Sequence, residues 1–182
     1  MLSVVSVVAS LIIANIGLAS PAGAAPTCNP TFVPGVGISI ANAGLELGYT
    51  NPVTPGAPVI SQALTASSPE FIPETPTTFT GGTLLKVANN PDPALDLYAT
   101  WTGETSQISV LPLITVPDDP VQGWGFACST CNDPTAVGAG GLLASGCHIT
   151  AFNGQCVQIG SAAGDIATPG DCTDLSVFDV YV

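Results

Sequence analysis

Short stretches of alternating apolar and polar residues recur along the chain, separated by segments rich in glycine and proline. Alternation with a period of two is typical of a β-strand that buries one face. The frequent turn residues indicate that the strands are short. The pattern therefore predicts an all-β protein. The clearest alternating units are GLEL at residues 44–47, ALDL at 94–97 and CVQI at 156–159.

An aromatic residue follows each alternating unit at a nearly constant interval. Phe71 and Trp124 are 53 positions apart, and Trp124 and Phe178 are 54 positions apart. The alternating units begin at less even intervals, 50 and 62 positions, and we assign the extra residues to a glycine-rich loop at 132–146. Three similar modules are predicted, each too small to bury a core alone, with the three aromatic side chains mostly buried at equivalent positions. The modules are expected at about 36–75, 82–127 and 145–182.

The first segment of the chain has a different character. Residues 2–18 carry no charge, and small residues follow them, among them Ala22, Gly23 and Ala24. This is the pattern of a secretory signal peptide with a processing site. We therefore expect a signal peptide at 1–24 and a secreted single domain at 25–182. The alternative is an uncleaved membrane anchor, for which the segment is at the short limit.

The composition is strongly acidic but sparsely charged. The chain has 13 acidic residues against one Lys or Arg (Lys86), a formal charge of −12, while 8% of residues are charged and 46% are hydrophobic. Nucleic acids and anionic membranes are bound through clusters of Lys and Arg, so neither is an expected partner. Because so few cations are present, the carboxylates cannot depend on buried ion pairs, and we expect the protein to tolerate acid.

Six cysteines lie after the expected cleavage point. An even number in an exported chain indicates up to three disulfides. A redox role for the CSTC motif at 128–131 would need a helix N-terminus or a cation to stabilise a thiolate. A zinc site would need a second, suitably spaced pair of ligands. The sequence offers neither, so no metal is predicted. The cysteines are Cys28, Cys128, Cys131, Cys147, Cys156 and Cys172.

The residue types needed for catalysis are scarce. A Ser-His-Asp triad requires a histidine base. The single histidine, His148, follows Cys147 at an expected strand start pinned by a disulfide, and we assign it a structural role. Glycoside hydrolysis requires two carboxylates across a cleft, whereas Asp118 and Asp119 between two prolines are typical of a solvated turn. The sequence predicts neither an enzyme nor a cofactor.

Motifs from all three modules carry a resemblance to a known family. The third module begins with CVQI at 156–159, and Cys172 follows Cys156 by 16 positions. The second module holds ALDL and a literal Gln-Gly-Trp at 122–124, and the first ends in Pro-Glu-Phe at 69–71. Over residues 36–182 the chain resembles the ricin-B-type β-trefoil family in its secreted, fungal form, whose repeats hold a Cys-Leu-Asp-Val-like strand, a second cysteine and a Gln-x-Trp.

The resemblance implies a β-trefoil with three pseudo-repeats and an intra-repeat disulfide between Cys156 and Cys172. The other four cysteines are then expected to form two bridges. A direct bridge between Cys128 and Cys131 is the least favoured pairing, because so short a loop strains the bond.

The resemblance also implies a non-catalytic, carbohydrate-binding function with a glycan as partner. In this family the acid of the Cys-Leu-Asp-Val strand accepts hydrogen bonds from sugar hydroxyls. The matching positions hold Asp96 in the second repeat, Glu46 in the first and Gln158 in the third. Asp96 is the strongest candidate because it keeps the family's residue.

An aromatic ring is the second requirement of such a sugar site. Tyr98 and Trp101 follow Asp96 closely and are the candidates for the apolar wall. The alternative is that all three residues merely finish a strand and turn. The positions where the family places its stacking aromatic lie near Ser61, Ser109 and Gly170, none of which is aromatic.

Two other functions are compatible with the sequence. β-Trefoils also serve as protease inhibitors that present one exposed loop, for which the proline-rich segment 67–80 or the loop 132–146 would serve. The low charge and the abundance of small residues also suit a secreted cell-wall or effector-type protein without a sugar ligand.

Overall fold

The computed structural model describes residues 28–64, 70–77, 81–92, 94–104, 106–114 and 121–182. The expected signal peptide at 1–24 and the acidic pair Asp118–Asp119 lie outside these residues. Within them the regular secondary structure consists of thirteen β-strands and one 3₁₀ turn, so the predicted all-β class is confirmed. No helix in the described part has the length and apolarity needed to cross a bilayer.

The strands follow one another in three groups of four. The first group is β1 (Ser39–Asn42), β2 (Leu45–Tyr49), β3 (Val59–Ala63) and β4 (Phe71–Glu74). The second is β5 (Leu84–Val87), β6 (Leu97–Thr100), β7 (Ser109–Pro112) and β8 (Gly125–Ala127). A short β9 (Thr130–Cys131) precedes the third, which is β10 (Leu142–Thr150), β11 (Cys156–Gln158), β12 (Thr168–Gly170) and, after the 3₁₀ turn η1 (Asp174–Ser176), β13 (Val177–Tyr181).

The strands form where apolar residues alternate, and glycine allows the turns between them. In β13, Phe178 and Val180 point inward while their neighbours are only partly buried. The β1–β2 hairpin turns through Ala43 and Gly44, both with positive φ (51° and 83°). A two-residue hairpin loop with positive φ at both positions fits the right-handed twist of the strands, and glycine adopts it without steric cost.

The same pairing scheme recurs in each group. The first strand pairs with the second and the second with the third in every group. The first segment also contacts the fourth, through the bridges Ile38–Phe71 and Thr83–Trp124 and through the β10–β13 ladder. Successive groups are joined by β4–β5 and β8–β10, and β13 pairs back with β1. In the described part of the chain, the ladders form a curled nine-stranded sheet and a four-stranded sheet (β4–β7), and isolated bridges connect the two.

Three backbone hydrogen bonds link the groups in a ring. The N–H of Val59 donates to the carbonyl of Ile108 (2.8 Å), Ile108 donates to Ala167 (3.1 Å), and Ala167 donates back to Val59 (2.8 Å). All three residues are buried, and each lies at or just before the third strand of its group. Buried backbone groups must be paired, and here each group satisfies its neighbour.

The three evenly spaced aromatic residues are all in the core. Phe71, Trp124 and Phe178 are 1%, 2% and 1% exposed, as predicted. Each faces the first strand segment of its own group: Phe71 opposite Ile38, Trp124 opposite Thr83 and Phe178 opposite Cys147. The 53- and 54-residue spacing in the sequence therefore marks the same structural position three times.

The side-chain polar groups of Gln122 and Trp124, both in the Gln-Gly-Trp motif, form hydrogen bonds inside the protein. The Trp124 indole Nε1–H donates to the carbonyl of Ala99 (3.0 Å). The Gln122 amide donates to Thr100 Oγ1 (2.8 Å) and to the carbonyl of Pro112 (3.0 Å), and it accepts from the Ile114 N–H (2.8 Å). Gln122 is 1% exposed, so this amide replaces a strand neighbour for backbone groups at the end of β7.

All six cysteines are paired. Cys156 and Cys172 form the disulfide that the resemblance implied. The other two bridges are Cys28–Cys131 and Cys128–Cys147. The two cysteines of the CSTC motif are therefore bonded to two different parts of the chain, at Cys28 and at Cys147. They do not form a redox pair with each other, and neither is a free thiolate that could bind a metal.

Three local expectations were wrong. The ALDL unit is not a strand, because β6 begins only at Leu97; the Asp92 side chain accepts the N–H of Ala94, an Asx turn that competes with extended backbone. The glycine-rich loop ends at Gly141, since β10 begins at Leu142. His148 lies well inside β10 rather than at a strand start.

The Gln122 network leads to a stability prediction. Replacing Gln122 with Met keeps the size but leaves the Ile114 N–H and the Pro112 carbonyl without their partner. A buried polar group left unpaired costs about 1–3 kcal/mol, so we expect a loss of about 2–5 kcal/mol in urea unfolding. Gln155→Met, which removes an exposed side-chain hydrogen bond from Asn153, is the matched control and should stay within about 0.5 kcal/mol of the parent. Equal stability of the two variants would contradict the role given to Gln122.

Candidate functional site

The segment before β1, residues 28–37, forms an arm along the surface. Cys28 pairs with Cys128 through two backbone hydrogen bonds (3.1 and 2.8 Å) and is disulfide-bonded to Cys131. Further along, the Phe32 ring packs edge-on against Phe126, with centroids 5.1 Å apart. The arm is thus fixed at its start by covalent and backbone bonds and in its middle by an aromatic contact.

A groove of about 600 Å³ lies between this arm and the end of β4. We call it the arm groove. Its walls combine proline rings and the Phe32 side chain with three threonines and a single carboxylate, that of Glu74. The lining residues are Pro30, Thr31, Phe32, Pro34, Gly35, Pro73, Glu74, Thr75 and Thr83.

Glu74 belongs to a polar cluster on the outer face of β4, β5 and β6. Ile72 pairs with Lys86, and Lys86 pairs with Tyr98, so Glu74, two residues after Ile72, shares this face. The Tyr98 hydroxyl donates to Glu74 Oε2 (3.0 Å), and Lys86 Nζ lies 2.7 Å from Asp96 Oδ1 and 3.7 Å from Glu74 Oε1. We call these four residues the Lys86 cluster.

The cluster is electrostatically unbalanced. Its one ammonium group is held closely by Asp96, which is the main reason why the pKa of Lys86 is raised. Burial, then the hydrogen bond to Glu74, raises the pKa of Tyr98, so this phenol remains protonated and continues to donate. Two carboxylates against one ammonium leave an excess negative charge. The Glu74 side chain is 36% exposed, and its Oε1 makes the longer of the two ion pairs with Lys86, at 3.7 Å. This oxygen can accept from a ligand.

The structure brings together two of the three residues expected around the second-repeat sugar site. Asp96 and Tyr98 both belong to the Lys86 cluster, and the Asp96 side chain is 54% exposed. Tyr98 is 3% exposed, with its hydroxyl engaged by Glu74. Trp101 is 4% exposed and packs against Phe152, with centroids 5.6 Å apart. Both rings are therefore covered, and neither presents the surface that the expected apolar wall requires.

The three expected hydroxyl acceptors do not occupy equivalent positions. Strand register aligns Gly48, Thr100 and Gln158, whose partners Ile60, Ser109 and Thr168 each directly follow a residue of the hydrogen-bonded ring. Counting back two residues in each strand, Glu46 is equivalent to Tyr98 and to Cys156. Asp96 therefore lies two residues before the residue equivalent to Glu46, and Gln158 lies two residues after it. The short sequence units were thus aligned out of register.

Glu46 is also inaccessible to a ligand. Its side chain is 0% exposed, and the Gln62 amide donates to its Oε1 across the β2–β3 pair (3.4 Å). Gln62 can lie there because position 48 is glycine: a Cβ at that position would be 2.3 Å from Gln62 Cδ. Glu70 lies close enough for the charge of Glu46 to affect its ionisation. The Glu46 carboxylate is therefore enclosed by the protein and contacts its own side chains rather than solvent.

Gln158 has a local structural partner as well. Its side-chain amide donates to the carbonyl of Asp171 (2.8 Å) beside the Cys156–Cys172 bridge. The side chain lies over Gly170, where a Cβ would be 2.6 Å from Gln158 Cδ. The Gln158 side chain thus forms a hydrogen bond with the residue that directly follows β12.

His148 contacts the 3₁₀ turn that precedes β13. Its Nδ1 lies 3.1 Å from the carbonyl oxygen of Ser176 and 3.3 Å from the Ser176 hydroxyl, which is itself buried and donates to Thr173. The sulfur atoms near His148 belong to Cys156 and Cys172. Since these two are joined in a disulfide, they are not available as thiolate ligands.

Sequence reasoning missed the arm and Glu74. Glu74 lies in the proline-rich segment 67–80, which was considered as an inhibitor loop, but residues 71–74 of that segment form β4. Residues 67–69 and 78–80 lie outside the described part of the chain. The available signal was the alternation in Phe-Ile-Pro-Glu, together with the need of the lone cation Lys86 for acidic neighbours.

Comparison with protein-family models, with curated proteins and with solved structures gave no match. Candidate ligand-binding residues are therefore chosen from geometry and chemistry alone.

The Glu46–Gln62–Glu70 contacts lead to a pH prediction. Burial, with a smaller contribution from the charge of Glu46, raises the pKa of Glu70 above its ordinary value of 4.5, against the opposing hydrogen bond from Gln62. A raised pKa in the folded state contributes stability below the ordinary value, and this contribution is lost as pH rises through the folded value. We therefore expect Glu70→Gln to melt higher than the parent at about pH 7, and the difference to vanish at about pH 3.5.

The control for this measurement is Glu104→Gln, which makes the same charge change on an exposed side chain. Thermal melting followed by circular dichroism at both pH values provides the comparison. A Glu70→Gln variant that is less stable than the parent at neutral pH would show that the hydrogen bond from Gln62 outweighs burial.

Proposed function

We propose that this protein is an extracellular β-trefoil that binds carbohydrate without catalysis, and that the arm groove is its binding site. The observation that carries the proposal is Glu74: a carboxylate that lines the groove together with Phe32 and three threonines. One of its oxygens accepts from the Tyr98 hydroxyl, and the other lies 3.7 Å from Lys86 Nζ. The site thus differs from the one expected at Asp96, Tyr98 and Trp101.

The trefoil assignment is supported by the threefold recurrence of the pairing scheme. Three four-strand groups, closure of β13 on β1 and the ring formed by Val59, Ile108 and Ala167 are what a pseudo-threefold barrel with a capped end requires. The equivalent positions of Phe71, Trp124 and Phe178 add a second, independent set of threefold-related residues.

The extracellular location is supported by the cysteines. Three disulfides, with no free thiol, indicate an oxidising environment. The apolar N-terminal segment and its small-residue processing site point to secretion as the route.

A sugar is the ligand class that best fits the lining of the arm groove. Sugars present hydroxyl donors on their rims and weakly apolar C–H faces, and their sites combine a few fixed polar groups with apolar surface. Glu74 supplies a charged acceptor, the threonines supply hydroxyls that donate or accept, and Phe32 with the proline rings supplies the apolar surface.

The same lining supports the proposal of binding without hydrolysis. Glycoside hydrolysis uses two carboxyl groups placed on either side of the scissile bond. Among the described residues that line the arm groove, Glu74 is the only carboxylate. Its companion Asp96 is engaged by Lys86 at 2.7 Å.

The first test removes the acceptor. A hydrogen bond to a charged group contributes about 1.5–3 kcal/mol, so Glu74→Ala should weaken glycan binding by about ten- to hundredfold. Glu104→Ala, which removes an exposed carboxylate that does not line the groove, should bind like the parent. Both are compared by isothermal titration calorimetry with oligosaccharides selected on a glycan array. Binding that survives Glu74→Ala unchanged would place the site elsewhere, and absence of binding to any glycan would remove the proposal.

The second test frees the arm. Removing Cys28–Cys131 by substituting both cysteines with Ser should release the wall that carries Phe32 and so abolish binding. The bridge spans 103 positions, and its loss should also cost about 4–5 kcal/mol of stability in the chain-entropy description.

Loss of Cys156–Cys172, substituted in the same way, is the matched control. It should cost about 3 kcal/mol but preserve binding, since neither cysteine lines the arm groove. Binding is measured well below the melting temperature of each variant. Equal loss of binding in both variants would indicate a general effect of destabilisation rather than a role of the arm.

A further inference from the structure

The charge around the arm groove restricts which sugars it can accept. The chain carries a formal charge of −12, and its only Lys or Arg is Lys86. That ammonium lies 2.7 Å from Asp96 but 3.7 Å from Glu74. Lys86 therefore compensates the charge of Asp96 more fully than that of Glu74, and Glu74, which lines the groove, keeps part of its negative charge.

We propose that the arm groove selects amino sugars with a free, protonated amine over their N-acetylated and acidic counterparts. The inference rests on the proposed function, because it specifies the sugar class for the same site. An ammonium at Glu74 Oε1 would form a charge-assisted hydrogen bond and would complete a cluster of two carboxylates and two ammonium groups.

The contacts already made by Glu74 favour such a ligand over a neutral one. The Tyr98 hydroxyl donates to Glu74 Oε2, and because the pKa of Tyr98 is raised, the phenol stays neutral and adds no negative charge to the cluster. The remaining oxygen, Oε1, makes the longer of the two ion pairs with Lys86 (3.7 Å) and keeps lone pairs for a further donor. An ammonium group offers donors together with charge, whereas an N-acetyl group replaces the ammonium with a neutral amide that offers one N–H donor.

Acidic sugars are disfavoured for the converse reason. A uronate or a sulfate would face Glu74, and the nearest cation, Lys86, is 25% exposed and already held by Asp96. The net charge of the protein adds a repulsive field at low ionic strength. The groove should therefore rank ligands by charge: ammonium first, neutral second, anionic last.

The experiment compares matched tetrasaccharides by isothermal titration calorimetry at about pH 6, below the pKa of an amino group. The probes are the tetramers of glucosamine, of N-acetylglucosamine and of galacturonic acid, with tetralysine as a non-sugar cation. We expect the glucosamine tetramer to bind at least about tenfold more tightly than the N-acetylated tetramer, and the galacturonic acid tetramer not to bind. The preference should shrink at about 1 M salt, where charges are screened within a few ångströms.

Two variants assign the preference to Glu74. Glu74→Gln keeps the shape and hydrogen-bonding capacity of the side chain but removes its charge, and it should bring the two amino-sugar tetramers to similar affinity. Glu104→Gln changes the net charge equally, away from the groove, and should keep the preference.

Each contrary outcome is distinct. Binding of the N-acetylated tetramer as tightly as the glucosamine tetramer would overturn this inference but leave the proposed function in place. Tetralysine binding as tightly as the glucosamine tetramer, with the same dependence on Glu74, would overturn it in favour of a site for cationic peptides. No binding of these tetramers, together with no hit on the glycan array, would remove both proposals.

Discussion

The structure depends on the ring of hydrogen bonds that Val59, Ile108 and Ala167 make with one another. Each strand group contributes one residue, and each residue donates to one neighbouring group and accepts from the other. No group can satisfy these buried backbone atoms by itself, and no group is large enough to bury a core. The ring, together with the pairing of β13 with β1, therefore makes the three groups interdependent and gives the outer faces of their strands fixed relative positions.

The arm groove is built on this frame by a second constraint, the disulfides around the CSTC motif. Cys28–Cys131 and Cys128–Cys147 attach the arm to β9 and β10, which places Phe32 and its neighbouring prolines opposite β4. On β4 the alternation of side chains turns Glu74 outward towards Tyr98 and Lys86. The groove thus combines one wall fixed by covalent bonds with another fixed by strand register, and its charge is set by the scarcity of cations in the chain.

The sequence predicted the strand class and the burial of the three evenly spaced aromatics, because these depend on local alternation and on large apolar side chains. The Cys156–Cys172 bridge was implied by the family resemblance and is present. The three expected acceptors do not align: Asp96 lies two residues before the position equivalent to Glu46, where an Asx turn at Asp92 delays the start of β6, and Gln158 lies two residues after it. The burial of Trp101 could not be predicted, since the ring that packs on it, Phe152, lies 51 positions away. Glu74 depends on the same kind of long-range information: its partners come from β5 and β6, and the arm that faces it is held by a disulfide spanning 103 positions.

The most direct test of the central claim, that the arm groove is the ligand site, is a titration followed by ¹H–¹⁵N correlation spectra of the labelled protein. With the glucosamine tetramer as ligand, the account predicts that the largest shift changes fall on the backbone amides of Thr31, Phe32, Thr75 and Thr83, from both walls of the groove. Largest changes around Trp101 and Phe152, or in the loop 132–141, with these four amides unmoved, would contradict it.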